Sequence, residues 1–396
     1  MHARELKSAD AGTDATGAAP APKRQLGGPP EFETGGVLVI DLAAICDNWR
    51  RLSSRAAPAE CAAVVKADAY GCGLEPVVAA LAAAGCKTFF VADLAEGRRV
   101  RSVFPEAIVY ALNGLAPGSA SAFADAYVRP VIGSLVELAE WDAFCSANNW
   151  RWGAALQFDT GMNRLGISVA EGVALSARAK EPDHGITLVM SHFACADNPD
   201  DPMNAEQIEV FRELRLMFRG VPASLANSAG IFLGASAHCD LVRPGIGLYG
   251  GNPVPAQPNL MSSVVTLKGR IALVRNVPTG DSVGYGAAWV ASRPSRVAIV
   301  SVGYGDGYMR AAGNADGHAG AEAIVANRRC RTVGRISMDL MALDITDLPD
   351  YAAKRGDYVT LIGPDIGVDE LAGTMGTLGY EVLTSLGRRF HRMWIG

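Results

Sequence analysis

The stretch CAAVVKADAYGCGLEPVVAALAAAGCKTFFVA (61–92) holds one strand–helix–strand unit, and repetition of this unit decides the fold. The apolar runs CAAVVK (61–66) and KTFFVA (87–92) have the length of buried strands. The Ala-rich segment between them ends at Gly85, a residue type that favours the C-terminus of a helix. The pattern predicts two parallel strands joined by a helix.

The same alternation continues to about residue 250. After an opening strand, VLVIDL (37–42), eight apolar runs begin at residues 61, 87, 107, 129, 153, 186, 222 and 239. Helical segments separate them, including SLVELAEWDAFCSAN (134–148), which opens with the N-cap residue Ser134. Eight alternations fit a (β/α)8 TIM-like barrel better than an open, doubly wound α/β sheet.

The composition changes at GNPVPAQPNL (251–260), a Pro-rich, polar segment typical of a linker. Segments that favour β-structure, punctuated by Gly and Pro, follow it. We therefore expect a disordered N-terminal tail (1–35), a barrel (36–255) and a mostly-β C-terminal domain (256–396). As an alternative, the strand near 37–42 pairs with the second domain.

Composition excludes several classes of protein. Of 396 residues, 49% are hydrophobic and 19% charged, which indicates a folded chain. The net charge of −5, without a basic run, argues against a nucleic-acid partner, and the apolar runs are too short to span a membrane. The eight cysteines form no C-x-x-C pair, and the Ala-, Gly- and Pro-rich start lacks the apolar core of a secretory signal. We expect a cytoplasmic protein without a metal site.

Three residues follow predicted barrel strands, at the end where barrel enzymes carry their catalytic groups. Lys66 is either a surface residue with a buried alkyl stem or a Schiff-base lysine that loses its proton when partly desolvated. Arg164, in QFDTGMNRLG (157–166), is either a surface arginine or a clamp for a carboxylate. His192, in SHFACAD (191–197), is either structural or catalytic.

The loops after the seventh and eighth strands carry small and hydroxyl residues, in ANSAG (226–230) and RPGIGLYG (243–250). The second loop matches G-x-G-x-x-G, but no helix opens after it, so a dinucleotide fingerprint is the weaker interpretation. Barrels often bind phosphate with these two loops. A lysine on strand one facing such a phosphate cradle indicates pyridoxal 5′-phosphate.

These motifs, together with VGYGA (283–287), VGYGDGY (302–308), GRISMDL (334–340) and GTLGYEVLTSLGRR (376–389), resemble the alanine racemase family over nearly the whole chain after the tail. The resemblance implies a barrel that binds pyridoxal 5′-phosphate, followed by a β domain. It implies interconversion of L- and D-alanine, which supplies D-alanine for peptidoglycan. It also implies a head-to-tail homodimer with shared active sites.

The resemblance also assigns roles residue by residue. Lys66 holds the cofactor covalently and is one catalytic base, and Tyr285, donated by the partner subunit, is the other. The phosphate contacts fall on Tyr70, Asn227, Ser228, Gly245, Ile246 and Tyr380. Arg243 faces the pyridine nitrogen and His192 stacks on the ring. Arg164 and the backbone of Met338 bind the substrate carboxylate. The residues that line the substrate entryway are Tyr304, Asp197 and Arg335.

Racemisation must remove the proton from one face of Cα and return a proton to the other, and two bases on opposite faces do this directly. A free tyrosine is protonated near neutrality, so Tyr285 needs assistance to act as a base. A hydrogen-bond chain through neutral His192 to cationic Arg243 could supply it. Since Arg243 keeps its proton, the pyridine nitrogen should stay unprotonated, which disfavours transamination.

Three alternatives share some of these features. A non-catalytic carrier of pyridoxal phosphate has the barrel and the lysine but lacks the long β domain. A barrel decarboxylase generally places a carboxylate at the pyridine nitrogen, where this chain has Arg243. A racemase of serine or of a broader range of amino acids fits the same motifs, although Tyr304 and Tyr380 favour a small side chain.

One position departs from the family pattern. Many alanine racemases have a CO₂-carbamylated lysine two residues before the Asp of DTGM, and its anion orients the arginine that binds substrate. Here that residue is Gln157, which cannot be carbamylated. Either the amide alone holds Arg164, or a small anion such as chloride restores the charge. Both versions predict activity that is independent of bicarbonate.

Overall fold

Short runs of branched and aromatic residues form the strands of the structure, a computed structural model that describes residues 25–178, 185–315 and 319–396. In chain order the strands are β1 (Gln25–Gly27), β2 (Gly36–Asp41), β3 (Glu60–Cys61), β4 (Ala63–Val64), β5 (Thr88–Val91), β6 (Ile108–Ala111), β7 (Arg129–Ile132), β8 (Ala154–Gln157), β9 (Ile186–Met190), β10 (Ala223–Ser224), β11 (Leu241–Val242), β12 (Val265–Val277), β13 (Ser282–Val283), β14 (Trp289–Val290), β15 (Ser295–Val300), β16 (Glu322–Val325), β17 (Arg328–Arg331), β18 (Met341–Asp344), β19 (Tyr358–Ile362) and β20 (His391–Ile395).

Helices follow most strands of the first half and gather near the end of the second. They are α1 (Leu42–Ala56), α2 (Lys66–Tyr70), α3 (Leu74–Ala83), α4 (Leu94–Val103), α5 (Ala120–Asp125), α6 (Leu135–Asn148), α7 (Val169–Leu175), α8 (Pro202–Met217), α9 (Ala235–His238), α10 (Val368–Met375) and α11 (Gly379–Ser385). Ser134 caps α6 as its position predicts, because its side chain accepts a hydrogen bond from the backbone N–H of Glu137.

The first half closes into a barrel. Strands β4 to β10 pair in chain order, all parallel, and β11 pairs in parallel with β3, which continues into β4. Two backbone hydrogen bonds join β10 to β11: Asp240 N donates to Ala223 O at 3.0 Å and Arg243 N to Ala226 O at 2.9 Å. The predicted (β/α)8 barrel is therefore confirmed, and the carboxyl ends of its strands meet at one mouth.

The second half is mostly β, as predicted. Its sheet runs β1-β20-β2-β12-β19-β16-β17, and β15 pairs with β12 and β18. Strand β2 lies between β12 and β20, antiparallel to the first and parallel to the second, so the strand that precedes the barrel joins the second sheet. The C-terminal strand β20 thus lies between β1 and β2, the first two described strands.

The boundary of the predicted tail differs from the structure. The tail was predicted to extend through residue 35, but β1 pairs antiparallel with β20, opposing Leu26 to Met393. A short 3-10 turn, Glu31–Glu33, follows β1. Residues 1–24 of the predicted tail lie outside the described residues. The order of 25–35 arises from a pairing with a strand more than 360 residues away, which composition alone does not reveal.

Over residues 25–178, 185–315 and 319–396, no helix is both long and apolar enough to cross a membrane. The same ranges contain no group of three or more His, Cys, Asp or Glu side chains placed to hold a metal ion. The eight cysteines are free thiols.

Candidate active site

The turn that follows β4 has an uncommon backbone. The four residues after Lys66, Ala67 to Tyr70, all have φ between 54° and 55°, in the left-handed region. A left-handed conformation costs a non-glycine residue roughly 1–2 kcal/mol, so such a run persists only where surrounding contacts impose it. The turn sends the chain back across the barrel mouth directly after Lys66.

A cluster of charged side chains imposes this turn from the barrel side. The Asp68 carboxylate accepts hydrogen bonds from Leu74 N at 3.1 Å and from Arg99 Nη2 at 2.5 Å. Arg99 also binds both carboxylate oxygens of Glu75, at 2.6 and 2.7 Å. Glu96 accepts from Asp68 N at 3.1 Å. The backbone and side chain of Asp68 are both fixed, which holds the turn in place.

The C-terminal strand β20 holds the same turn from the other side. Arg392 Nη1 donates to Gly71 O at 2.6 Å, and the indole Nε1 of Trp394 donates to Cys72 O at 2.6 Å. Gly71 continues the left-handed run with φ of 77°. The second half of the chain therefore helps to set the position of Lys66.

The environment of Lys66 makes its amine easier to deprotonate than that of a free lysine. Its pKa is lowered from the ordinary value, first by burial and then by the positive charge of Arg164. Arg164 is exposed, and within the described ranges no carboxylate pairs with it. Lys66, which loses its proton more easily than a free lysine, therefore lies near Arg164, whose guanidinium is free to bind the carboxylate of a ligand.

Gln157, the last residue of β8, is buried, and its Nε2 donates to Leu165 O at 2.9 Å. The amide thus holds the backbone beside Arg164. Among the described residues, the hydrogen bond of the Gln157 amide goes to this neighbouring carbonyl and not to the Arg164 guanidinium.

The loops after β10 and β11 form a small cradle. Ser228 Oγ accepts hydrogen bonds from Gly245 N at 2.8 Å and Gly247 N at 3.3 Å. A Cβ on Gly245 would overlap Tyr70 Oη, so glycine at this position makes room for the Tyr70 hydroxyl. Asn227 Oδ1 accepts from Gly230 N at 2.9 Å and fixes the first loop.

Aromatic rings close the cradle. The Tyr70 ring stacks on Tyr249 with 4.6 Å between centroids and lies 6.1 Å from the Tyr380 ring. The pKa of the Tyr380 hydroxyl is raised to about 12, first by burial and then by the negative charge of Asp197. Tyr380 and Asp197 therefore lie close enough to interact, at the edge of the barrel mouth.

Arg243 lies under the mouth, 3% exposed. Its Nη2 donates to Ser191 O at 2.6 Å and lies 3.4 Å from His192 Nδ1, while Nη1 donates to Ser224 Oγ. Burial lowers the pKa of Arg243 to about 10, which leaves it charged at neutral pH. No carboxylate neutralises it among the residues that the structure describes.

His192 is kept neutral by the same surroundings. Burial is the main reason that the pKa of its imidazole is lowered to about 3. The positive charges of Arg243, Arg164 and Lys66 act in the same direction. Because an arginine can only donate, Nδ1 of the neutral imidazole is the acceptor towards Arg243, and the hydrogen on Nε2 is left to be donated on the other side of the ring.

The remaining predicted residues lie on the second half of the chain. Tyr285 is 73% exposed and lines an open cavity of about 650 Å³ together with Arg335. A Cβ on Gly286 would overlap Arg335 Nη1, so the Tyr285 turn packs directly on that side chain. Nearby, Tyr304 N donates to Ser337 O at 3.1 Å and Gly305 N to Met338 O at 2.8 Å.

The structure thus sorts the predicted residues into two groups. The first group lies at the barrel mouth: Lys66, Tyr70, Arg164, His192, Asp197, Asn227, Ser228, Arg243, Gly245, Ile246 and Tyr380. The second group lies on the β domain: Tyr285, Tyr304, Arg335 and Met338. No contact described within this one chain joins Tyr285 to Lys66.

Several residues that hold the mouth together were not predicted: Asp68, Glu96, Arg99, Thr160, Ser224 and Gln207. One of them carries a sequence signal. The buried residues of α8 are Asn204, Gln207, Phe211 and Leu214, so two amides occupy positions that helical spacing assigns to the core. A polar residue at a core position needs hydrogen-bond partners and is a candidate for a specific role.

Comparisons with known proteins agree with the order of these motifs. The family model described as the N-terminal domain of alanine racemase matches residues 40–253, and the model of its C-terminal domain matches residues 264–394. The chain is 52% identical over 361 residues to an alanine racemase of Methylobacterium sp. (strain 4-46), which covers 91% of this chain and 98% of that protein. It is 43% identical to a biosynthetic alanine racemase of Agrobacterium fabrum, covering 90% of this chain and 93% of that protein.

Solved structures resemble the whole described fold. An alanine racemase from Bartonella henselae with covalently bound pyridoxal phosphate superposes with a TM-score of 0.86 at 35% identity, covering 91% of this chain and 99% of that chain. A biosynthetic alanine racemase from Pseudomonas aeruginosa gives a TM-score of 0.83 at 37% identity, with the same coverage of 91% and 99%.

Proposed function

This chain belongs to the alanine racemase family, and from that membership we propose that it interconverts L-alanine and D-alanine with pyridoxal 5′-phosphate as its cofactor. The observation that carries the proposal is the barrel mouth. There, a lysine of lowered pKa lies with the Ser228–Gly245 cradle and a buried arginine that pairs with no described carboxylate.

The residues present fit this cofactor. The Ser228 hydroxyl accepts two backbone N–H bonds, so its own proton is left to donate to a phosphate, and Gly245 leaves room for the Tyr70 hydroxyl beside it. We assign the phosphate to Tyr70, Asn227, Ser228, Gly245, Ile246 and Tyr380. We assign the pyridine nitrogen to Arg243, the ring face to His192 and the covalent link to Lys66. When bound, the cofactor withdraws electrons from the Cα–H bond of an attached amino acid and acidifies it.

The protein then has to move protons at Cα. We propose that Lys66 Nζ serves one face and the Tyr285 hydroxyl the other. Neutral His192 takes the Arg243 contact at Nδ1, so its Nε2–H is left as the hydrogen-bond donor that stabilises the deprotonated form of a tyrosine base. Arg243 keeps its own proton at neutral pH and can only donate, so the pyridine nitrogen would accept a hydrogen bond from it and stay unprotonated.

Tyr285 is 73% exposed, and no described contact joins it to Lys66 of its own chain. We therefore propose a head-to-tail homodimer with shared active sites, in which Tyr285 acts at the partner's barrel mouth. The domain that carries Tyr285 also exposes the apolar side chains of Leu273, Val290, Met338 and Leu340. Exposed apolar side chains support an interface, and a two-fold interface would deliver two such tyrosines.

The same assembly would complete substrate binding. Arg164 at the mouth and the backbone of Met338 from the other subunit would hold the substrate carboxylate. Tyr304, Asp197 and Arg335 would line the entryway. Tyr304 and Tyr380 restrict the space beside the reacting carbon, which favours alanine over a larger amino acid. We propose a cytoplasmic enzyme that supplies D-alanine for peptidoglycan.

The proposed function predicts a clear substrate order. With the purified protein and a panel of L-amino acids, kcat/KM for formation of the D-enantiomer should be highest for alanine and lower for serine. Pockets discriminate one small group by roughly 1–3 kcal/mol, so side activities should be measurable. A higher value for serine would select the broader racemase, and cofactor binding without any D-product would select the non-catalytic carrier.

Gln157 predicts independence from CO₂. Because a glutamine amide cannot be carbamylated, the racemisation rate in degassed, CO₂-depleted buffer should not change when bicarbonate is restored. A rise with bicarbonate would contradict the prediction. Chloride added at constant ionic strength tests whether an anion sits beside Arg164. Gln157→Lys is the matched variant, and it should either introduce a bicarbonate dependence or weaken substrate binding by repelling Arg164.

A further inference from the structure

Gln207, on helix α8, is a fully buried amide with 0% exposure. Its Oε1 accepts a hydrogen bond from Ala194 N at 2.9 Å. Its Nε2 donates to His192 O at 2.9 Å and to Thr160 Oγ1 at 3.1 Å. One side chain therefore binds two separate loops of the barrel mouth.

The contact to Thr160 extends into a buried polar chain. Thr160 Oγ1 forms a hydrogen bond of 2.8 Å with Ser191 Oγ, and Ser191 O accepts from Arg243 Nη2 at 2.6 Å. Thr160, Ser191 and Arg243 are all buried. The chain connects the loop after β8, the segment after β9 and the end of β11. Polar networks buried in this way are rigid when every member is satisfied.

Each connected segment carries a residue of the proposed site. Thr160 belongs to the loop of Arg164, which is assigned to the substrate carboxylate. His192, whose carbonyl Gln207 binds, is assigned to the cofactor ring. The distance between these two side chains decides whether a substrate held by its carboxylate places Cα over the cofactor.

We propose that Gln207 is a positioning residue that sets the loop of Arg164 against the His192 segment. This inference rests on the proposed function, since it concerns alignment of the substrate with the cofactor. A misplacement of about 1 Å at a reacting centre can cost on the order of 100-fold in rate or binding. Gln207 touches neither substrate nor cofactor and acts through Thr160, His192 and Ala194.

The test variant is Gln207→Met, which keeps the side-chain length and removes the three hydrogen bonds. We expect KM for L-alanine to rise about 10- to 100-fold with a smaller change in kcat, because a displaced Arg164 weakens binding of the carboxylate in both ground and transition states. Hydrogen exchange across residues 158–167 should be faster than in the parent, whether or not substrate is present.

The matched control is Thr88→Val. Thr88 is also buried, and its Oγ1 donates to Glu60 Oε1 at 2.6 Å, at the amino-terminal ends of β3 and β5, opposite the mouth. This control should lower the melting temperature without changing KM. If Gln207→Met fails to fold, Gln207→Glu is the second variant. It keeps the oxygen that accepts from Ala194 N, but an ionised carboxylate has no N–H to donate to His192 O or Thr160 Oγ1. It should give the same rise in KM.

The outcomes separate the two proposals. A parent without racemase activity would reject the proposed function, while the exchange rates of residues 158–167 would still report on Gln207. A Gln207→Met protein with a lower melting temperature, parental KM and parental exchange across 158–167 would overturn the positioning role and leave Gln207 a structural residue.

Discussion

Replacing Lys66 with alanine is expected to lower kcat for alanine racemisation on the order of 10⁴-fold, because in the proposed function this side chain is both the covalent anchor and a base. Burial and the positive charge of Arg164 lower the pKa of its amine, and both roles need the deprotonated amine. Borohydride treatment of the parent should fix the cofactor on a peptide that contains Lys66. The measurements are the rate of D-alanine formation and the mass of the labelled peptide.

Lys87→Ala is the matched control for this loss. Lys87 is exposed and directly precedes β5, at the end of the barrel opposite the mouth. It should retain the parental kcat and the parental labelled peptide. Cofactor fixed on a lysine other than Lys66 would overturn the assignment of the site, even if Lys66→Ala is inactive.

The sequence predicts the location of Lys66 because local patterns are sufficient there. An apolar run followed by lysine places that lysine at a strand end, and eight such runs place the strand ends at one mouth. The geometry of the turn after Lys66 is different. It depends on Glu96 and Arg99, about 30 residues along the chain, and on Arg392 at its end, so no local pattern reveals it.

The same distinction explains the N-terminal segment and α8. Residues 25–27 resemble a tail in composition, yet their backbone groups pair with β20. Helical spacing places Gln207 on the core face of α8, but only the assembled fold shows its three hydrogen-bond partners. In both cases the partner lies on another element, and the fold has to be assembled before the hydrogen bonds can be counted.

Replacing Tyr285 with phenylalanine should slow removal of the α-proton from L-alanine by roughly 10²- to 10⁴-fold and from D-alanine much less. This asymmetry follows if Tyr285 serves the face of Cα that carries the proton of the L-enantiomer while Lys66 serves the other. Exchange of the α-proton with deuterated solvent in single-turnover mixtures measures each direction. Equal losses for both enantiomers would indicate a single base.

The position of Tyr285 allows a test of where its site lies. The side chain is 73% exposed and contacts no described residue of the mouth in its own chain, so it should act on the partner's Lys66. A hybrid of one Lys66→Ala subunit and one Tyr285→Phe subunit then contains one site with both bases and one with neither. Isolated through a different tag on each subunit, it should recover about half of the parental kcat per dimer. If each site were built from a single chain, both subunits of the hybrid would be defective and its rate would stay at that of the two variants.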